Sequence, residues 1–268
     1  MTFLDDYFKR LNLSPFTEPT LANLRSVMVA QMQQIPFENI DVVQKKEIDI
    51  SPDAIHDKLV KKKRGGYCWE LNLLILRALE ELKYDVALYG NKVRWNKQPD
   101  QLSTYTHNHL IVTISPTEHW LVDVGFAGTN SVAPIRLDNL GEVQVVPEGS
   151  FRVIRDGHNW LHLQWEIKGE FRSLYKWHDV VMDYADCEMS NFYSYAWEKA
   201  RFPNQLCVAR LIGEGERHYI LNSTYGVRHL KDGSLTETKV NNKAELLALL
   251  NNTFGIELDD DENVERFL

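Results

Sequence analysis

The sequence predicts an α+β protein, and three observations carry that reading. Up to about residue 83 the apolar residues recur at helical spacing. From about 84 to 180 they alternate with period two between turn signals. After a connection, short strands return and the chain closes on a helix. In the first stretch Thr20 is placed to cap a helix with Leu21, Leu24, Val27 and Met28 on one face. Ser51-Pro52-Asp53 supplies a cap, a proline for the first turn and an acid at the positive end of the dipole. Behind Gly65-Gly66, residues Leu71, Leu74, Ile75, Ala78, Leu79 and Leu82 follow the i, i+3, i+4 rule and mark the clearest helix in the chain. The runs 86–95, 109–114, 119–126, 142–146, 151–154 and 160–167 read as strands. Breaks fall at Pro99-Asp100, Ser115-Pro116 and Asp156-Gly157. So many consecutive strands predict an antiparallel sheet closing toward a barrel.

Residues 181–206 are aromatic and read as an irregular connection. Strands follow near 207–212, 219–222 and 226–230, with Asp232-Gly233 as a tight turn before 235–240. Asn242, three residues before Glu245, is placed to cap a last helix holding Leu246, Leu247, Leu249 and Leu250. The acidic run 259–262 reads as a solvated tail. The predicted units are 1–83, 84–192, a connection at 193–206, and 207–268.

Composition narrows the function. With 44% hydrophobic and 25% charged residues the chain is neither disordered, collagenous nor a coiled coil. Thirty basic against 38 acidic residues give a net charge of −8, which disfavours duplex DNA and anionic membranes as partners. Any anionic ligand must therefore be held by local donors. Three separated cysteines, Cys68, Cys187 and Cys207, without a CxxC, disfavour a disulfide framework and a structural zinc site. Asp5 and Asp6 stand where a signal peptide needs basic residues, and no stretch approaches the ~20 apolar residues of a membrane helix. The expectation is a reduced, cytoplasmic protein, in which a cysteine in a marked context points to a nucleophile.

Arg64-Gly65-Gly66-Tyr67-Cys68-Trp69-Glu70-Leu71-Asn72 is that context. Two glycines permit a close backbone approach, and the helix starts at once, so Cys68 falls in its first turn. Unpaired N–H groups and the dipole there favour a thiolate, and Lys61-Lys62-Lys63-Arg64 adds positive potential. The alternative is a buried structural cysteine, the reading that Cys187 and Cys207 receive. A thiol nucleophile needs a base and a group to orient it. His107 and His109 share one face of a strand-like run, and Asp123 stands within the next apolar run. If these runs pair through the turn at 115–118, Asp123 comes to the end where His107 lies. A carboxylate among apolar residues needs a partner, because leaving it unpaired costs several kcal/mol. A Cys–His–Asp relay is one outcome; satisfied strand histidines, or a metal site from His107, His109 and Asp123, are the others.

The nine residues from Arg64 to Asn72 resemble the nucleophile motif of the arylamine N-acetyltransferases. Asp6-Tyr7-Phe8-Lys9-Arg10, Ile35-Pro36-Phe37-Glu38-Asn39-Ile40-Asp41, Thr106-His107 five residues before Val112, and Val122-Asp123-Val124-Gly125-Phe126 match further segments in order. The resemblance implies a helical domain, a β-barrel domain and an α/β lid around a cysteine-protease-like core. It selects His107 over His109, completing a triad of Cys68, His107 and Asp123 without metal. It implies acetyl-CoA as cosubstrate rather than a permanent cofactor, and arylamines, hydrazines or arylhydroxylamines as acceptors. It also implies Ser103 and Thr104 as candidate contacts for CoA, Phe126 and Val93 as candidate walls for the acceptor, and an Arg64–Glu38 pair beside the site. The segment 190–202 departs from the family pattern. A papain-like hydrolase uses the same residue types, but the papain-type Cys-Gly-Ser-Cys-Trp order is missing.

Overall fold

The computed structural model describes residues 2–98, 100–213, 215–230, 233–258 and 264–268; Pro99, Asp232 and the acidic run 259–262 lie outside these ranges. The first stretch holds α1 (Phe3–Leu11), α2 (Leu21–Gln34), a short β1 (Phe37–Glu38), α3 (Ile40–Val43), α4 (Pro52–Ile55) and α5 (Cys68–Glu81). The predicted caps form: Thr20 accepts the amide of Asn23 at 3.2 Å and Ser51 that of Ala54 at 3.4 Å. Helix α4 runs on as a π-helical turn over His56–Lys61. Helices α2 and α5 bury the predicted faces, Leu24, Val27 and Met28 of the one and Leu71, Leu74, Ile75, Ala78 and Leu79 of the other, in the same core.

Eight strands follow: β2 (Asp85–Val93), β3 (Tyr105–Ser115), β4 (Glu118–Val122), β5 (Ile135–Arg136), β6 (Gln144–Val146), β7 (Gly149–Arg155), β8 (Leu161–Ile167) and β9 (Glu170–Trp177). They pair antiparallel in the order β5-β4-β3-β2-β9-β8-β7-β6. The two edges meet. The side-chain amide of Gln144 on β6 accepts from the Arg136 amide of β5 and donates to its carbonyl, both at 2.8 Å, so a side chain closes the ring where a ladder ends. Phe151, Val153, Leu163, Leu174, Tyr175 and Trp177 fill the interior.

Three expectations need correction here. Strand β9 was not expected: at a register shift in the β8–β9 ladder both Leu174 and Tyr175 are buried, which breaks the period-two pattern. The run 119–126 is strand only to Val122, so Asp123 sits just past the ladder rather than within it. Half of the connection at 181–206 is a helix, α6 (Tyr184–Ala196), and the expected boundary at 192/193 falls inside it. Its buried face is Cys187, Ser190, Asn191 and Ser194, while Met189 and Phe192 are exposed. That inverted amphipathicity hides the helix from hydrophobic periodicity.

The last stretch forms β10 (Cys207–Ile212), β11 (Glu216–Leu221), β12 (Thr224–His229), β13 (Leu235–Lys239) and α7 (Lys243–Leu249), with Asn242 accepting the Glu245 amide at 3.0 Å. Strand β1 completes this sheet by pairing Phe37 with Ala209 and Glu38 with Val208. No helix among the described residues is long and apolar enough to cross a membrane.

Candidate active site

Cys68 is the first residue of α5 and is buried. The two preceding glycines are required by space. A Cβ on Gly65 would lie 2.4 Å from the Pro36 carbonyl oxygen, and one on Gly66 would lie 2.7 Å from Glu70 Oε2. That closeness lets Glu38 N donate to the Gly66 carbonyl at 2.9 Å and Gly66 N to that of Pro36 at 3.2 Å, so the segment before α3 grips the loop that leads into Cys68. The expected Arg64–Glu38 pair forms at 3.1 Å. It belongs to a larger cluster in which Lys58 Nζ lies 2.6 Å from Asp41 and 2.7 Å from Glu70. Glu70 in turn accepts the Tyr67 amide at 3.0 Å, fixing the residue before Cys68. Lys58 stands outside the motif and was not singled out from sequence.

Strands β3 and β4 form the predicted hairpin, with Ser115 opposite Glu118 and Leu110 opposite Val122. Asp123 therefore reaches His107, whose Nε2 lies 2.7 Å from its Oδ2. The other carboxylate oxygen accepts from Gly125 N at 2.9 Å and Asn72 Nδ2 at 3.2 Å. Burial alone would raise the Asp123 carboxyl. The His107 ring and these donors outweigh it and hold the group below its ordinary range. Thr106, next to His107, accepts the Cys68 thiol through its carbonyl at 3.6 Å, which places the sulfur beside the histidine.

Burial and the Asp123 charge push the Cys68 thiol well up, and the amides of Trp69 and Cys68 at the helix start only partly oppose them. The helix start pulls toward the thiolate as expected, but burial and the Asp123 charge outweigh it, so the sulfur needs a base. His109 does not serve. Its Nδ1 bonds Asn91 Oδ1 at 2.8 Å, and burial pushes its imidazole down to about 3, so it stays neutral. Among the described residues no group of three or more His, Cys, Asp or Glu side chains is placed to hold a metal ion. Cys187 and Cys207 are buried and unpaired, with thiols also raised by burial.

Cys68 and His107 open into one cavity of about 760 Å³ that is also lined by Val93, Ser103, Thr104 and Phe126. Every site residue named from sequence is thereby brought to this place, with Asp123 behind the wall. Phe126 also packs edge-on against His107, centroids 4.8 Å apart. Among the described residues, the cavity's charged lining side chains are Lys97, Lys199 and Arg201, with no carboxylate.

A family model described as N-acetyltransferase matches residues 20–263. A protein of Salmonella typhimurium named arylamine N-acetyltransferase / N-hydroxyarylamine O-acetyltransferase is 33% identical, covering 97% of this chain and 90% of its own length. The chain belongs to the arylamine N-acetyltransferase family. The solved arylamine N-acetyltransferase of Salmonella typhimurium superposes with a TM-score of 0.90 at 32% identity, over 98% of this chain and 94% of that one. That of Mycobacterium marinum in complex with CoA gives 0.88 at 31%, over 94% and 92%. Two buried contributors to the site were not singled out from sequence. Asn72 is one: it lies four residues after Cys68, hence on the same helix face, and also accepts the Val124 amide at 3.0 Å. Tyr175, packed 5.1 Å from His107, lay in the unexpected strand β9.

Proposed function

We propose that the protein transfers acetyl from acetyl-CoA to arylamines, hydrazines or arylhydroxylamines through an acetyl-Cys68 intermediate, with Cys68, His107 and Asp123 as the triad. The observation that carries this reading is the meeting of Cys68 and His107 in one cavity, with Asp123 bonded to the far side of the imidazole. Nε2 is engaged by Asp123, so Nδ1 takes the thiol proton as sulfur attacks the thioester carbonyl. The carbonyl–sulfur bond to CoA breaks and CoA leaves with the proton from the imidazolium. The amine then attacks acetyl-Cys68, its proton passes to His107, and the thiol is restored. Backbone N–H groups at the start of α5 are the candidate oxyanion donors, such a donor being worth ~3 kcal/mol. Asp123 keeps the imidazole in the required tautomer and stabilises its charge.

Ser103 and Thr104 are the proposed contacts for CoA. The Ser103 hydroxyl is buried without a hydrogen-bond partner among the described residues, which suits a ligand contact. Phe126 and Val93 offer a flat, apolar acceptor the wall it needs. No permanent cofactor is required, and a cytoplasmic location fits the three free thiols. Neither nucleic acid nor membrane is a proposed partner.

The test is acetyl-CoA turnover against a panel of arylamines and hydrazines. Ping-pong kinetics and an acetyl group trapped on Cys68 are expected. Cys68→Ala should lower turnover by about 10⁴-fold or more, as loss of a nucleophile does. Full activity in that variant would refute the reading.

The all-cationic rim makes a further prediction. CoA brings several phosphate charges to a protein of net charge −8. Lys199→Gln with Arg201→Gln should raise KM for acetyl-CoA several-fold, since exposed ion pairs contribute about 0.2–1 kcal/mol each. Turnover of a phosphate-free acetyl-cysteamine thioester should not change. An equal effect on both donors would rule out phosphate contacts at this rim.

A further inference from the structure

Beyond the ladder of β4, the segment that carries Asp123 has no regular structure until β5. It is held instead by side chains from three directions. From α5, Asn72 accepts the Val124 amide at 3.0 Å. From the β6–β7 turn, the buried Glu148 accepts the Val132 amide. From the C-terminal sheet, Arg217 on β11 reaches across and donates to Asn130 Oδ1. Asn130 then donates through Nδ2 to the backbone carbonyl of Asp123 at 2.6 Å.

Arg217 is 4% exposed and Asn130 3%. A guanidinium taken that far from water is costly to keep unless its partners are well placed; the buried Glu148 supplies the compensating charge and Asn130 the directed acceptor. The Arg217 fork orients the Asn130 amide: with the Asn130 oxygen turned to Arg217, its NH₂ must face the Asp123 carbonyl. Reversing the amide would set two donors against each other at one end and two acceptors at the other.

We infer that Arg217 is a positioning residue through which the C-terminal sheet, by way of Asn130, fixes the backbone of Asp123 and with it the His107–Asp123 pair. Neither residue touches the reacting atoms. Both act through the placement of Asp123, so the inference rests on Asp123 being the acid of the triad. It assigns the C-terminal stretch a share in activating Cys68, a residue 149 positions away from Arg217 in the sequence.

The readout is the rate of Cys68 alkylation by iodoacetamide as a function of pH, followed on the whole protein by peptide mass spectrometry beside thermal unfolding. Asn130→Asp is the sharpest variant. It keeps the size, offers Arg217 a carboxylate, and removes the Nδ2 donor to the Asp123 carbonyl. Melting should stay near that of the wild type. Alkylation at neutral pH should fall roughly 10- to 100-fold, the cost of misplacing a reacting group by about 1 Å, and its rise should move to higher pH. Arg217→Met should move the rate and the pH profile the same way, Arg217→Lys should recover part of the loss, and Arg217→Met with Asn130→Ala should be no worse than either alone. Wild-type alkylation profiles in both Asn130→Asp and Arg217→Met, even with a lower melting temperature, would reduce the link to a structural tie and overturn the inference. Asp123→Asn separates the two levels. If it leaves alkylation unchanged, the triad reading itself fails; if it slows alkylation and Asn130→Asp does not, only the positioning role fails.

Discussion

Asp123→Asn is expected to lower acetyl transfer by about 10⁴-fold in a folded protein, the magnitude that follows when a triad imidazole is held in the wrong tautomer. The hydrogen bonds dictate the sense of the error. Asp123 Oδ1 receives two donors, Gly125 N and Asn72 Nδ2, so an asparagine must turn its oxygen that way. Its NH₂ then faces His107 Nε2, which must become the acceptor. The proton is left on Nδ1, the nitrogen that should take the thiol proton. Single-turnover acetylation of Cys68 measures the loss, and retention of more than a tenth of the wild-type rate would contradict this assignment. The substitution should also show in stability. The Asp123 carboxyl is held below its ordinary value, so its contribution is present above an unfolded value of about 3.9 and is lost as pH falls through the lower folded value. The melting temperature of Asp123→Asn should therefore depend less on pH at the acid end than that of the wild type.

Lys58→Met is expected to destabilise the protein by about 3 kcal/mol, the lower end of the cost of leaving a buried carboxylate, here Glu70, without its cation. Lys58 lies within 2.7 Å of both Asp41 and Glu70, and Glu70 is 2% exposed. Without the ammonium, Glu70 stays buried beside Glu38 with the Tyr67 amide as its remaining donor. A fall in Tm on the order of 10 °C is expected for a chain of this size. Burial would lower the ammonium of Lys58, but Glu70, Glu38 and Asp41 together raise it above its ordinary value. Its contribution is therefore full below an unfolded value of about 10.4 and fades only as pH rises through the higher folded value. Thermal unfolding from neutral to strongly alkaline pH checks both points. A variant that melted with the wild type would show that the cluster adds nothing net.

Local chemistry was legible in the sequence. Thr20, Ser51 and Asn242 cap the helices they announce, because a cap is a bond between a side chain and an amide two or three residues on. The motif around Cys68 was legible because the glycines, the helix start and the cysteine are consecutive. The pairing of His107 with Asp123 was legible because a hairpin's turn sets its register. Helix α6 was not, since its apolar side chains face outward and its polar ones pack inward.

By itself, then, the sequence determined most of the capped helices, the β3–β4 hairpin, the motif around Cys68 and the family resemblance, all of which rest on neighbours in the chain or on one short hairpin. Tertiary structure alone decided the rest. It showed that the Cys68 thiol is raised rather than lowered, because burial and the Asp123 charge are properties of the folded surroundings and outweigh the local helix start. It decided that β1 leaves the helical stretch to complete the C-terminal sheet, and that Lys58, Asn130 and Arg217 stand close to the site. Contacts between residues tens to nearly two hundred positions apart leave no periodicity behind, so only the folded chain reveals them.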